Sequence, residues 1–365
     1  MPHRLPPWEP DLAKAHTLPA FAYTDAAILE AEQAKIFRKE WQPVVNAFDV
    51  RESGSFATAE IAGAPIVVTR GTDGELRGFH NVCRHRAGPV AIGKGARKSL
   101  SCRYHGWSYA LDGKLIGTPE VGDIQDFDRS CYGLTAIRVE AWGPIVFACL
   151  DPNAPPLASV LGKIPEESAK YDLAAMLPVA RTIYDCACNW KTYVDNFLEG
   201  YHLPTVHPGL YRELDYGRYE VHLHGNYSSQ LAPIRPKRAK PAASADPSKD
   251  RYYEEGGEAL YYWVFPGWML NIYPDNMSLN IVVPDGPSRC KVVFEWFRSP
   301  ATASDAAAIE RTKTFSHDIQ LEDMEICAMV QRGLASGSYE RGRFSALREN
   351  GVHHFQSLVH AALTR

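Results

Sequence analysis

The sequence predicts an α+β protein built from a small all-β domain and a larger mixed domain. Three observations carry this. The chain has 365 residues, which at roughly 150 residues per domain makes about two domains. From Gln42 to about Pro155, short β-rich runs alternate with glycine-containing turns. Beyond Pro155, helical stretches bracket a second series of strands. Hydrophobic residues make up 45% and charged residues 22%, a globular mixture that excludes wholesale disorder. The net charge of −4 excludes the basic field that dominates nucleic-acid binding.

The elements follow in order. Residues 24–41 predict an amphipathic helix: Thr24 can cap it, and Ile28, Leu29, Ile36 and Phe37 recur at helical spacing. The runs PVVNAF, SFATAEIAG, PIVVTR, ELRGFHNV and GPIVFACL read as strands, punctuated by Asp73-Gly74 and Asp112-Gly113. Residues 151–157 (DPNAPPL) read as a linker. Helices follow near 157–175 and 189–202. The runs YYWVFP, WMLNIYP, MSLNIVVP and CKVVFEWFR predict an antiparallel sheet. A helix from about Ser304 to Gly333 closes the ordered core. Domain boundaries are therefore expected at 1–41 (a helical arm packing on the last domain), 42–155 and 156–365. Residues 232–250 read as either a lid or a loop.

The start, MPHRLPPWEP, has no apolar core of a signal peptide. The longest apolar stretches, such as Pro144–Leu150, fall far short of the roughly 18 residues that cross a bilayer. A cytoplasmic location is expected, where thiols stay reduced and clustered cysteines are ligands more often than disulfides.

Cys83-Arg84-His85, then Cys102-Arg103-Tyr104-His105, place one thiolate and one imidazole in each of two short loops. Two Cys and two His also form structural zinc sites. Zinc fingers, however, run Cys, Cys, His, His, whereas this order is Cys, His, Cys, His. A Rieske [2Fe–2S] cluster needs two Cys on one iron and two His on the other. Two loops that each donate one of each meet that demand. Gly88 and Gly106 let the backbone approach the cluster.

The strings CRHRAG and CRYHGWSY resemble the Rieske motif of the non-haem iron, aromatic-ring-hydroxylating oxygenases. They lack the extra cysteine per loop of respiratory Rieske proteins. A second constellation extends the resemblance along nearly the whole chain. It comprises Asn189-Trp190-Lys191, then Asn196-Phe197-Leu198-Glu199-Gly200-Tyr201-His202, then His207. A mononuclear Fe(II) that activates O₂ is held by two His and one carboxylate on one face. In a straight helix His202 and His207 would differ by about 500° of rotation, but Pro204 ends the helix and lets His207 swing back.

The resemblance selects Asp323 as the third ligand, with Glu322 and Asp318 on the same helix as alternates. It implies that Glu199 bridges the two redox sites, hydrogen-bonding His202 and His105 of a neighbouring subunit. Most of the family has Asp there; Glu resembles the branch acting on quaternary ammonium compounds such as carnitine, betaines and choline. The resemblance implies an all-β Rieske domain and a helix-grip catalytic domain with a curved antiparallel sheet. It implies a homotrimer, because adjacent subunits bring the two metal sites close. The implied function is the terminal oxygenase component of a multicomponent system, hydroxylating a small molecule with O₂. For a quaternary ammonium substrate the outcome would be N-demethylation; the alternative is ring hydroxylation of an aromatic acid. Electrons would come from NAD(P)H through a separate reductase, since no G-x-G-x-x-G fingerprint is present. A bare electron carrier would not need residues 156–365, and a structural zinc protein is the other non-enzyme reading.

The remaining features read as structural. Cys186-Ala187-Cys188, Cys131, Cys149, Cys290 and Cys327 are expected to pack, with no partner motif near the first pair. His222 and His224 are expected on one strand face, structural or lining a pocket. His353-His354 are expected in packing or subunit contacts. The run Tyr261–Phe265, with Trp268 and Tyr273, supplies core and, in part, a substrate wall.

Overall fold

The structure is a computed structural model and describes residues 4–233, 258–273 and 275–365. Residues 234–250 of the expected lid or loop lie outside the described residues. The chain divides into two compact units. One is Gln33–Ser159; the other joins the residues up to Glu32 with Val160–Arg365. No helix among the described residues is long and apolar enough to cross a membrane.

The first helix, α1, covers only Ala26–Glu32, and a wider turn over Gln33–Phe37 follows. The expected single helix over 24–41 is thus interrupted where one unit gives way to the other. The apolar periodicity still holds: Ile28, Leu29, Ile36 and Phe37 are all buried.

The smaller unit is all β. Its strands are β1 (Gln42–Asn46), β2 (Ser55–Ile61), β3 (Ala64–Arg70), β4 (Leu76–His80), β5 (Lys94–Ala96), β6 (Ser99–Ser101), β7 (Ser108–Ala110), β8 (Leu115–Gly117), β9 (Ala136–Trp142) and β10 (Ile145–Cys149). Seven form one antiparallel sheet in the order β1-β10-β9-β4-β3-β2-β5, and β6-β7-β8 form a second. Phe56, Val67, Phe79, Leu100, Trp107 and Tyr109 fill one core that also encloses Cys83 and Cys102. The alternating apolar residues of the strands supply this core, and the loops before β5 and between β6 and β7 carry the two metal motifs.

In the larger unit the expected helix over 157–175 is replaced by short pieces, α2 (Leu157–Leu161) and α3 (Ile164–Glu167). Gly162, with φ +53°, separates them. The long strand β11 (Leu177–Cys186) leads to α4 (Trp190–Phe197), α5 (Leu203–Val206) and α6 (Pro208–Glu213). The strands β12 (Glu220–Leu223), β13 (Tyr227–Pro233), β14 (Glu258–Val264), β15 (Trp268–Ile272), β16 (Asn276–Pro284) and β17 (Cys290–Arg298) then complete a seven-stranded sheet, ordered β11-β17-β16-β15-β14-β13-β12. Every pairing is antiparallel, so the chain meanders except where β11 pairs with β17. Helices α7 (Ala306–Leu334) and α8 (Asn350–Thr364) follow. Asp305 caps α7 by accepting from Ala308 N at 2.9 Å. Trp190, Trp263, Trp268, Trp296, Phe297 and Phe355 are fully buried, each stabilising the fold by roughly 2–3 kcal/mol through its apolar area.

Helix α4 is fixed at its start by two devices. Asn189 Oδ1 accepts from Lys191 N at 3.0 Å, an N-cap. The Lys191 ammonium reaches Glu32 of α1 at 2.6 Å, with both side chains fully buried. Trp190 Nε1 donates to the other Glu32 oxygen at 2.7 Å. Burial raises the Glu32 carboxyl and lowers the Lys191 ammonium from their ordinary values, while each supports the other's charge.

Candidate metal centres

The sequence predicts one helix over 189–202, but α4 stops at Phe197. Pro204 and Pro208 sit in the first turns of α5 and α6, where a missing N–H costs nothing. This stutter of short helices places His202 and His207 at successive helix starts rather than on a common helical face. Their rings meet edge to face, 5.0 Å between centroids.

Asp323 of α7 joins them. His207 Nε2 lies 2.9 Å and His202 Nε2 3.8 Å from Asp323 Oδ1. One ligand atom from each of the three lies within 4.8 Å of the others. The far nitrogens are also held. His202 Nδ1 donates to Glu199 Oε1 at 2.6 Å, and His207 Nδ1 donates to Glu322 Oε2 at 2.6 Å. With each Nδ1 proton fixed by a carboxylate, each Nε2 is the nitrogen that faces Asp323, and a metal bound there would displace the proton that His207 Nε2 shares with Asp323 Oδ1. Asn196 Nδ2 donates to Asp323 Oδ1 at 2.6 Å and orients it. Burial pushes the His207 imidazole down, but Asp323 and Glu322 more than offset this, so it lies above its ordinary value. Two imidazoles and one carboxylate on one side of an open cavity fit a facial-triad iron. Of the alternates, Glu322 is placed behind His207 and Asp318 is not in the group. Nothing in the sequence except its position beside Asp323 signalled Glu322: neighbours about 100° apart on a helix can flank one ring from two sides.

A cavity of about 140 Å³ opens over this group. Tyr193, Phe197, Tyr219, Tyr261, Tyr273 and Phe294 contribute aromatic faces; Asn271 and Asn280 contribute amides. Tyr219 O–H donates to Gln230 Oε1 at 2.5 Å, and Gln230 Nε2 donates to Phe197 O at 2.9 Å, which locks that wall. Asn271 Oδ1 and Asn280 Oδ1 are buried acceptors without a hydrogen-bond partner. The described lining contains no lysine or arginine. Tyr262, Trp263, Val264, Phe265 and Trp268 are core. His222 pairs with Glu220 at 3.3 Å and His224 stacks on Tyr227, both away from this cavity. His353 packs against Trp8, ring centroids 4.9 Å apart and tilted by 32°.

In the smaller unit, Cys83 and Cys102 are 3% exposed, while His85 and His105 are exposed with ring centroids 4.7 Å apart. Each cysteine begins a tight loop: Ala87 N donates to Cys83 O at 3.0 Å, and Gly106 N to Cys102 O at 2.9 Å. Gly106 has φ +73°, a conformation that a side chain would strain. A Cβ on Gly88 would lie 2.9 Å from Cys102 Sγ. The indole of Trp107 stacks on His85 at 4.9 Å and 10°, and the Tyr109 hydroxyl lies 3.2 Å from Cys83 Sγ. Two buried thiols beneath two outward imidazoles fit a cluster with its cysteine iron inside and its histidine iron at the surface.

Residues 40–128 match the model of the Rieske [2Fe-2S] domain, and residues 173–365 match the ring hydroxylating alpha subunit (catalytic domain). The chain belongs to the Rieske oxygenase family.

This oxygenase is 34% identical over 364 residues to a choline monooxygenase, chloroplastic, of Arabidopsis thaliana, covering 96% of this chain and 83% of that one. It is 30% identical to the carnitine monooxygenase oxygenase subunit of Escherichia coli, covering 95% and 93%. A solved quaternary ammonium Rieske monooxygenase superposes with a TM-score of 0.85 at 27% identity, covering 97% and 96%. Naphthalene 1,2-dioxygenase from Rhodococcus sp. shares the fold, with a TM-score of 0.76 at 20% identity over 95% of this chain and 93% of that one. The oxygenase is thus a terminal component that carries a Rieske [2Fe–2S] cluster and a mononuclear iron. It takes electrons from NAD(P)H by way of a reductase.

Proposed function

We propose that this oxygenase hydroxylates a quaternary ammonium compound at a carbon bonded or close to the nitrogen. The aromatic cavity over the His202, His207 and Asp323 group carries this reading. Tyrosine and phenylalanine faces attract a trimethylammonium group through their quadrupoles, and no lysine or arginine among the described lining repels it. The unpartnered Asn271 Oδ1 and Asn280 Oδ1 suit a hydroxyl donor elsewhere on the substrate. The relatives named for choline and carnitine support the same class.

In this reading Cys83, His85, Cys102 and His105 hold the cluster, and His202, His207 and Asp323 hold the iron. The bound groups supply electrons one at a time and a place for O₂ to be reduced, in the net conversion of C–H, O₂, two electrons and two protons to C–OH and water. Glu199 orients His202 through Nδ1 and offers its carboxylate to His105 of a neighbouring subunit. That role needs a neighbouring subunit, and we propose a homotrimer; the related solved enzyme is described as transferring electrons between subunits. The six cysteines besides Cys83 and Cys102, none of them in a disulfide, suit a reducing compartment, so we place the protein in the cytoplasm.

The test is a substrate panel with a surrogate NAD(P)H-dependent reductase. Hydroxylation of an N-methyl carbon releases formaldehyde. Attack on a chain carbon bonded to nitrogen releases a tertiary amine, and attack on a carbinol carbon gives an aldehyde hydrate. Any of these from a quaternary ammonium substrate supports the proposal. Turnover confined to aromatic acids, yielding a diol or phenol, would overturn it. Glu199→Ala should abolish coupled turnover while the cluster spectrum stays intact; retained turnover would remove the bridging role.

A further inference from the structure

Hydroxylation consumes protons as well as electrons. A substrate seated over the iron site fills the aromatic cavity there and displaces its water, and a trimethylammonium group has no proton to give. The protons therefore need an approach other than the substrate cavity.

A second cavity, of about 280 Å³, adjoins the site. Asn196, Glu199 and His202 line both cavities, so these three side chains form a thin partition between them. The second cavity has room for several waters. Its lining reaches the surface at Val330 and Tyr339, 44% and 37% exposed, and at the half-buried Glu349. Between this rim and the partition stands Asp195. Tyr23 O–H donates to Asp195 Oδ2 at 2.7 Å, and Gln356 Nε2 donates to Oδ1 at 3.0 Å. Gln356 Nε2 also donates to the Tyr23 hydroxyl oxygen at 2.9 Å, which fixes the three side chains together. A neutral carboxyl can accept both bonds and still offer its own O–H to a water in the cavity.

We propose that this second cavity is the proton inlet of the iron site and that Asp195 is the group that loads it. Burial raises the Asp195 carboxyl most. The bonds from Gln356 and Tyr23 and the charge of Lys191 on α4 pull it down, Glu349 ahead of α8 pushes it up, and it comes to rest at about 7. Helix α7 faces the cavity with apolar side chains and the Cys327 thiol, and brings no charge to it. A carboxyl poised near neutrality gives up a proton and regains one with little cost in either direction.

The step is a proton transfer without redox change. The Asp195 O–H bond breaks toward a water of the cavity, and the excess proton passes along the waters to the partition beside Glu199 and His202. The carboxylate left behind takes a proton from solvent through the rim. Two such cycles supply one hydroxylation.

Two measurements on the cluster- and iron-loaded oxygenase test this. In infrared difference spectra between the parent and Asp195→Asn, a protonated-carboxyl band should be present in acid, fade as pH climbs through about 7, and shift at once on transfer to D₂O. The absence of such a band, or one that resists deuterium, overturns the inlet. Any oxygenation needs these protons, so whichever substrate the panel above yields serves for the second measurement. The parent's turnover should decline on the alkaline side of about 7. Asp195→Asn should turn over about 100-fold more slowly, with KM unchanged and the alkaline decline gone. Asp195→Glu should restore part of the rate and the decline with it. Equal iron content in parent and variants separates this role from the ligand assignment of His202, His207 and Asp323 on which it rests. An Asp195→Asn protein that keeps the parent's rate, or slows while keeping the alkaline decline, overturns the proposal. So does a parent without that decline, which decides the matter even if both variants fold poorly.

Discussion

Removing the carboxylate behind His207 should weaken iron binding in a measurable, graded way. Glu322 Oε2 accepts from His207 Nδ1 at 2.6 Å, and Glu199 Oε1 accepts from His202 Nδ1 at the same distance. Carboxylates that orient a ligating imidazole are worth about 10–100-fold in metal affinity, or roughly 1.4–2.7 kcal/mol. Solvent access separates the two. The Glu322 side chain is 43% exposed and that of Glu199 11%. Water can take over part of Glu322's work, so Glu322→Ala belongs near the lower end, about 10-fold. Glu199→Ala belongs nearer the upper end, because the Glu199 carboxylate is largely shielded from the water that would replace it. Anaerobic Fe(II) titration against a competing chelator measures both, with the cluster absorbance as a check on folding. Glu322→Gln, which keeps an acceptor oxygen, should recover most of the loss. Unchanged affinity in Glu322→Ala, or a loss exceeding that of Glu199→Ala, would refute the reasoning.

Three further outcomes are expected. Lys191→Met leaves the Glu32 carboxylate buried without its cation and should cost about 3–5 kcal/mol in denaturant unfolding; adding Glu32→Leu should recover much of it. Gly88→Ala pushes a methyl against Cys102 Sγ and should remove the visible absorbance of the Rieske cluster from the purified protein. Burial raises the Asp195 carboxyl to about 7, despite hydrogen bonds from Gln356 and Tyr23. The folded chain thus keeps a proton that the unfolded chain releases near pH 4, and this stability is lost as pH climbs toward 7. Three pKa units amount to about 4 kcal/mol at most, so the melting temperature of Asp195→Asn should fall less between pH 5 and 8 than that of the parent. Identical slopes would contradict the buried, protonated state.

The two metal motifs were legible because their chemistry is written in local order. Cys83-x-His85 and Cys102-x-x-His105 need only two tight loops to converge, and those loops follow from short-range turns. His202 and His207 were legible for the same reason, though the break that unites them lies at Phe197, earlier than Pro204 suggested. Contacts across long separations were not legible. Glu32 and Lys191 are 159 residues apart, and no periodicity couples α1 to α4. Four of the strands beside the cavity, β14 to β17, were read from the sequence, but β13, which carries Gln230, was not. Which of their aromatics would face the iron site was not, since Tyr261 and Trp263 share one strand and one alternation, and only packing sends Trp263 to full burial. The cysteines taught the same lesson: Cys186-x-Cys188 lacked a neighbour in sequence, but the β11–β17 pairing supplied Cys290.

The clamping of both imidazoles through Nδ1 has a bearing on which ion the enzyme ends up with. Ligand nitrogens fixed in advance ask little of the incoming metal beyond charge and size. By the usual order of divalent affinities, Cu(II) and Zn(II) would bind such donors more tightly than Fe(II) does. The protein's geometry therefore secures tight binding but leaves the choice of element to supply. Cells flooded with zinc or copper would accumulate a folded oxygenase with an intact Rieske cluster and no turnover.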